Sequence, residues 1–176
     1  MKTKQVTRLV IIYQNILMSF IHVNESDNYM TPKCQWERIK NYIPNDKKIW
    51  SPFYGDGKQK QYFNEMGFDI IHEDKDFFSY TPEYDLIVDN PPFSLKKDVF
   101  KRLKELDKPF IIICPSMMLG YKYFQQYFKN DIQIIIPSKR INFIHLTQPK
   151  NNYTPPFASF YFCYKMNLPK DLLFVD

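Results

Sequence analysis

The stretch Tyr84-Asp85-Leu86-Ile87-Val88-Asp89-Asn90-Pro91-Pro92-Phe93 runs from an unbroken apolar segment into a double-proline turn. An apolar run of this length, without polar alternation, reads as a strand buried on both faces. The prolines end it, because they cannot donate to a sheet ladder. The turn itself then offers a polar amide, two rigid residues and a bare aromatic ring.

The same kind of run recurs at 47–53 (KKIWSPF), 68–74 (FDIIHED), 109–115 (PFIIICP), 132–138 (IQIIIPS) and 158–165 (ASFYFCYK). Helical patterns separate several of them. QKQYFNEMG at 59–67 reads as a short helix closed by Gly67, and KYFQQYFKN at 122–130 as another. KKDVFKRLKELD at 96–107 is amphipathic, with Val99, Leu103 and Leu106 on one face. Alternating strands and helices predict an α/β doubly wound fold with a mostly parallel sheet. Such sheets hold ligands beyond the carboxyl ends of their strands. Residues 137–157 form the longest stretch without clear periodicity and are expected to be a loop.

The 176 residues suit one domain. With 44% hydrophobic and 18% aromatic residues, the composition argues against a disordered chain. The net charge of +5 permits a polyanionic partner without requiring one. Cys34, Cys114 and Cys163 make neither a disulfide framework nor a metal pattern, which fits a reducing compartment. Residues 1–28 carry an apolar run broken by Gln14 and Asn15, with no small-residue cleavage site after it. They read as an N-terminal extension to a single catalytic domain over 29–176, in an intracellular, cytoplasmic or nuclear protein.

The strand ends carry the chemistry. Ser51-Pro52-Phe53-Tyr54-Gly55-Asp56-Gly57 holds two of the four glycines of the chain, between a strand and a helix. Glycines there allow a tight turn and a close ligand, and the helix start favours negative charge. Glu73, at the end of the next strand, stands where nucleotide-binding α/β folds place an acceptor for ribose hydroxyls. Asp76 and Phe77 pair an acceptor for an exocyclic amine with an apolar wall. At the third strand, the Asn90 side-chain oxygen and the Pro91 carbonyl are two acceptors for one amino group. Holding both N–H bonds of a conjugated amine favours a tetrahedral, nucleophilic nitrogen. Phe93 can stack on a flat base.

Taken in order, these pieces resemble the S-adenosylmethionine-dependent adenine-N6 DNA methyltransferases. The family tetrad Asn/Asp/Ser-Pro-Pro-Tyr/Phe is matched by Asn90, Pro91, Pro92 and Phe93. Its cofactor loop Asp-Pro-Phe-x-Gly-x-Gly is matched by Pro52, Phe53, Gly55 and Gly57. A Tyr/Phe-x-Thr-Pro element upstream is matched by Tyr29, Thr31 and Pro32. The resemblance implies a Rossmann-like class I methyltransferase fold with a mostly parallel seven-stranded sheet and helices on both faces. It implies S-adenosylmethionine as cofactor, held by these loop residues with Glu73, Asp76 and Phe77, and no metal. The substrate it implies is nucleic acid, DNA first, with RNA open. The late RINF segment resembles small phage- and protist-type members, which makes Arg140 and Phe143 candidates for substrate contact. Lys96, Lys97, Lys139 and Lys150 are cations available to phosphates.

Two departures stand out. Ser51 replaces the acidic residue of the cofactor loop, so a hydrogen bond is lost or replaced. No separate target-recognition domain is visible, so specificity is short, relaxed or supplied by a protein partner. Related tetrads also serve methylation of a protein glutamine amide or an RNA guanine amine, and a non-catalytic binding subunit is a further alternative. A dinucleotide-type loop is disfavoured, because its third glycine position is Lys60.

Overall fold

Unbroken runs of isoleucine, valine and phenylalanine need cover on both sides of a sheet. The computed structural model, which describes residues 27, 29–146, 152–153 and 155–176, supplies that cover. Its strands are β1 (Tyr29–Met30), β2 (Ile49–Trp50), β3 (Ile70–Ile71), β4 (Leu86–Asp89), β5 (Phe110–Pro115), β6 (Ile132–Pro137), β7 (Phe143–His145), β8 (Asn152–Tyr153), β9 (Ser159–Tyr164) and β10 (Leu172–Val175). Its α-helices are α1 (Lys33–Glu37), α2 (Lys58–Glu65), α3 (Lys96–Leu106) and α4 (Lys122–Phe128).

Seven strands form the main sheet in the order β3-β2-β4-β5-β9-β6-β10. Within it β9 runs against its neighbours, and the other pairs are parallel. The two-residue period of a strand sends Val88, Ile111 and Ile113 into one core and Ile87, Phe110 and Ile112 into the other. Trp36 of α1 and Phe63 of α2 cover the first face. Val99, Phe100 and Leu103 of α3, with Phe124 and Phe128 of α4, cover the second. The Phe100, Phe110, Phe124, Phe128 and Tyr164 rings meet in mostly edge-to-face pairs, such as Phe100–Phe124 at 5.0 Å. Such pairs add roughly 0.5–1.5 kcal/mol each beyond burial.

Two features differ from the sequence expectation. The segment 137–157 is not wholly a loop: β7 pairs antiparallel with β1 and with β8 in a separate three-stranded sheet. Ile141 and Phe143, both buried, are the alternating anchors that fold it back onto the main core. The seventh strand of the main sheet is β10, a half-exposed edge beside β6. The extension at 1–28, apart from Asp27, lies outside the described residues, as do Lys150 and the rest of 147–151. Among the described residues no helix is long and apolar enough to cross a membrane.

Candidate functional site

The chain leaves β2 for β3 on one side, then returns to place β4 on the other side of β2. This reversal opens a crevice at the carboxyl ends of β2 and β4. The glycine loop comes after β2 and the Asn-Pro-Pro-Phe turn after β4, so the fold brings the two strongest sequence motifs face to face.

Gly55 and Gly57 have φ of +55° and +76°, in the left-handed region that favours glycine. A Cβ on Gly55 would stand 2.4 Å from Met30 Cε, so the β1 methionine lies directly on the loop. Gly57 precedes the first turn of α2, whose Lys58 N–H is capped by Asp56 at 3.1 Å. Pro52 is buried and Phe53 half-buried, its ring 5.1 Å from that of Phe77. Thr31, at 4% exposure, has a buried hydroxyl with no partner. Pro32 accepts the N–H of Gln35 at the start of α1. Tyr29 packs edge-on against His145 across the small sheet.

Asp89 joins the two motifs. One carboxylate oxygen accepts the Ser51 hydroxyl at 2.9 Å and the Phe53 main-chain N–H at 2.7 Å. The other accepts the Asn90 N–H at 2.7 Å and the Gln59 amide at 3.4 Å. Asp89 is 1% exposed. Burial pushes its carboxyl up to about 6, against the pull of the Phe53 N–H, the nearby His72, the Asn90 N–H and the Ser51 hydroxyl. His72 donates from Nδ1 to the Ser51 carbonyl at 2.8 Å, and its buried Nε2 has no partner. Tyr54, exposed, stacks on the His72 ring at 5.1 Å.

In the tetrad, the Asn90 Oδ1 is buried and accepts no hydrogen bond. A buried unpaired acceptor costs about 1–3 kcal/mol, so it is a place where a donor belongs. Pro91 is buried and Pro92 half-buried. Phe93 meets Phe143 edge-on at 6.2 Å and Phe157 at 5.9 Å. Phe143 itself is 2% exposed, so it lies behind Phe93 rather than open to a ligand. Lys96 folds back to donate to the Phe93 carbonyl at 3.0 Å. Asp27 accepts the Ser94 N–H at 3.2 Å and the Ser94 hydroxyl, tying the end of the extension to the turn after the tetrad. Lys139 and Arg140 are exposed after β6, and the Arg140 guanidinium donates to the Pro155 carbonyl at 3.4 Å.

Around β3 the side chains are arranged differently from the simplest sequence reading. Glu73 is exposed and accepts the Tyr80 hydroxyl at 2.9 Å, which raises the tyrosine above its ordinary range. The Asp76 carboxylate is taken up by its own turn, accepting the Phe78 N–H at 3.1 Å and the Ser79 hydroxyl at 2.8 Å. Phe77 is buried against Trp50 and Phe53, and Phe78 is the ring left 41% exposed. Sequence reasoning passed over Asp89, Met30 and Phe78. The signal for Asp89 was present, as an acid in the last position of a fully buried strand.

No protein-family model and no curated protein matches the sequence. Solved structures do match in shape. A Pyrococcus horikoshii protein described as an RNA methyltransferase superposes with a TM-score of 0.52 at 12% identity, over 80% of this chain and 88% of that one. A dimethyladenosine transferase from Plasmodium falciparum gives 0.47 at 10% identity, over 77% of this chain and 62% of that one. A Vibrio vulnificus protein described as the modification subunit of a type I restriction enzyme gives 0.47 at 11% identity, over 93% and 50%. The chain thus spans less than two thirds of the last two. At these identities the likeness is one of fold, and the fold is the expected Rossmann-like class I methyltransferase architecture.

Proposed function

We propose that this chain is an S-adenosylmethionine-dependent N-methyltransferase acting on the 6-amino group of adenine in nucleic acid, with DNA as the first candidate. The observation that carries the reading is the Asn90 Oδ1, a buried acceptor without a donor just after β4, in the turn that Asp89 ties to the glycine loop of β2.

The residues present fit the cofactor. The left-handed Gly55 and Gly57 let the loop turn tightly beneath the flexible Met30 thioether and the Tyr54 ring, which stand where a Cβ would be, and the unpartnered Thr31 hydroxyl belongs to the β1 segment lying on that loop. Glu73 offers an exposed carboxylate at the end of β3 for ribose hydroxyls. The half-buried Phe53 and the exposed Phe78, each against the Phe77 ring, offer rings for an adenine, and Asp76 caps the turn that presents Phe78. When bound, S-adenosylmethionine supplies a methyl group on a sulfonium that is already a strong electrophile.

The protein's work is placement and polarisation. Asn90 Oδ1 and the Pro91 carbonyl accept the two N–H bonds of the amine, drawing its lone pair out of conjugation and spreading the positive charge that develops on nitrogen. Phe93, backed by Phe143 and Phe157, offers a ring to the base. A base inside a duplex has to leave the stack to reach such a turn. Lys139 and Arg140, exposed at the same end of the sheet, favour phosphates there. Target recognition falls to these loops or to a protein partner.

The test is Asn90→Ala. Methyl transfer falls by about 10²-fold or more, the cost of removing one preorganised polar group at the reacting centre. Cofactor affinity, measured by calorimetry, stays within a few-fold of the parent. Equal loss of both would remove Asn90 from the role assigned to it.

A further inference from the structure

Among the described residues, Asp89 is the buried carboxylate that binds both halves of the crevice, and the catalytic scheme above does not use it. Its hydrogen-bond partners are all donors and come from three places: Ser51 and Phe53 on the glycine loop, Gln59 on α2, and Asn90 on the tetrad. His72, at the end of β3, acts on it through charge and itself donates to the Ser51 carbonyl. Gln59 also donates to the neighbouring Val88 carbonyl at 3.1 Å, which fixes α2 to β4 beside the carboxylate.

We propose that Asp89 is a positioning residue: it sets the spacing between the glycine loop and the Asn90 side chain by holding the Phe53 N–H on one oxygen and the Asn90 N–H on the other. The inference rests on the methyltransferase reading of the same crevice. It also accounts for Ser51. The loop position that holds an acid in the resembled family here carries a hydroxyl that donates to an acid on the neighbouring strand. The negative charge is kept and its point of attachment has moved from β2 to β4.

A residue retained for stability alone would not look like this. Burial pushes the carboxyl up to about 6, so holding it ionised at neutral pH costs the fold free energy. Buried ionic groups are weak contributors to stability and sharp determinants of geometry. With four donors around it, an amide at 89 would turn its own N–H bonds toward N–H and O–H groups.

Two measurements on Asp89→Asn test the proposal, and the first needs no cofactor. By amide hydrogen exchange of the free protein, Phe53 and Asn90 exchange about tenfold faster or more, while the sheet amides of Ile111 and Ile113 keep their rates. Unchanged rates at Phe53 and Asn90 overturn the proposal. Equal acceleration at Ile111 and Ile113 also overturns it, because that marks a general loss of stability. In the second, Asp89→Asn weakens both S-adenosylmethionine affinity and turnover by about tenfold or more each, the scale of losing hydrogen bonds to an ionised acceptor. Asn90→Ala, in contrast, lowers turnover alone. The exchange Ser51→Asp with Asp89→Ser returns the charge to β2 and restores part of the affinity lost in Asp89→Asn. Parent-like affinity and turnover in Asp89→Asn would overturn the positioning role. A parent protein that shows no cofactor binding at all, with the amide result as expected, would refute the methyltransferase reading and leave the loop-to-turn link standing.

Discussion

Replacing Gly55 by alanine perturbs the glycine loop in two separable ways. The backbone has φ of +55°, and an L-residue held there costs roughly 1–2 kcal/mol. The new Cβ would also stand 2.4 Å from Met30 Cε and 2.5 Å from Met30 Sδ, so the thioether must leave the loop. Met30 is half-buried, and losing part of its packing costs about 1 kcal/mol, below the roughly 2–5 kcal/mol of a fully buried methionine. Together these give about 2–3 kcal/mol, or a melting temperature lowered by roughly 5–10 °C for a chain of this size. In a Met30→Ala background the collision is gone and only the backbone cost remains. The four proteins of the cycle, unfolded by heat or denaturant, should show a coupling of about 1 kcal/mol between positions 30 and 55. Additive effects, within about 0.5 kcal/mol, would refute the placement of Met30 on the loop.

The pH dependence of stability follows from Asp89. Its carboxyl rises from 3.8 to about 6 on folding, so the folded state holds the proton more tightly. Stability from this group is therefore full below about pH 4 and lost as pH rises to about 6, an amount of about 3 kcal/mol. Unfolding free energies of the parent and Asp89→Asn, compared from pH 4 to 7, should diverge by that amount, and a constant difference would count against it. Phe93→Ala should weaken binding of a short single-stranded oligonucleotide by about 1–3 kcal/mol in fluorescence anisotropy, with cofactor affinity unchanged. Cys114 and Cys163 are buried, with thiols pushed up by desolvation, while Cys34 is exposed. One thiol of the three should therefore react with an aromatic disulfide reagent in the native protein and all three after unfolding, and a second fast native thiol would contradict the packing.

The parts legible in the sequence were those with local causes. Runs such as Phe110–Pro115 announce two-sided burial because every residue is apolar, and the period of Val99, Leu103 and Leu106 announces a helix face. The tetrad and the glycine loop declare themselves through residues with restricted or unusual backbones. The parts not legible depend on tertiary neighbours. Which of Phe77 and Phe78 is core is decided by the turn that Asp76 caps with its own carboxylate. β1 and β8 are two residues long and are defined by their pairing with β7. Asp89 looked like a polar end to a strand, because its partners Ser51 and Phe53 are 38 and 36 residues away. Its importance lies in convergence across the sheet, which no single segment encodes.

Methyl transfer to an adenine amine in the crevice between β2 and β4 can be tested in one assay. The protein is incubated with methyl-labelled S-adenosylmethionine and, in parallel, DNA, RNA and protein acceptors, which are then digested and resolved into nucleosides and amino acids. The expected result is label in N6-methyladenine of nucleic acid, abolished by Asn90→Ala. Label on a protein glutamine or on guanine, or no transfer to any acceptor, would contradict the assignment.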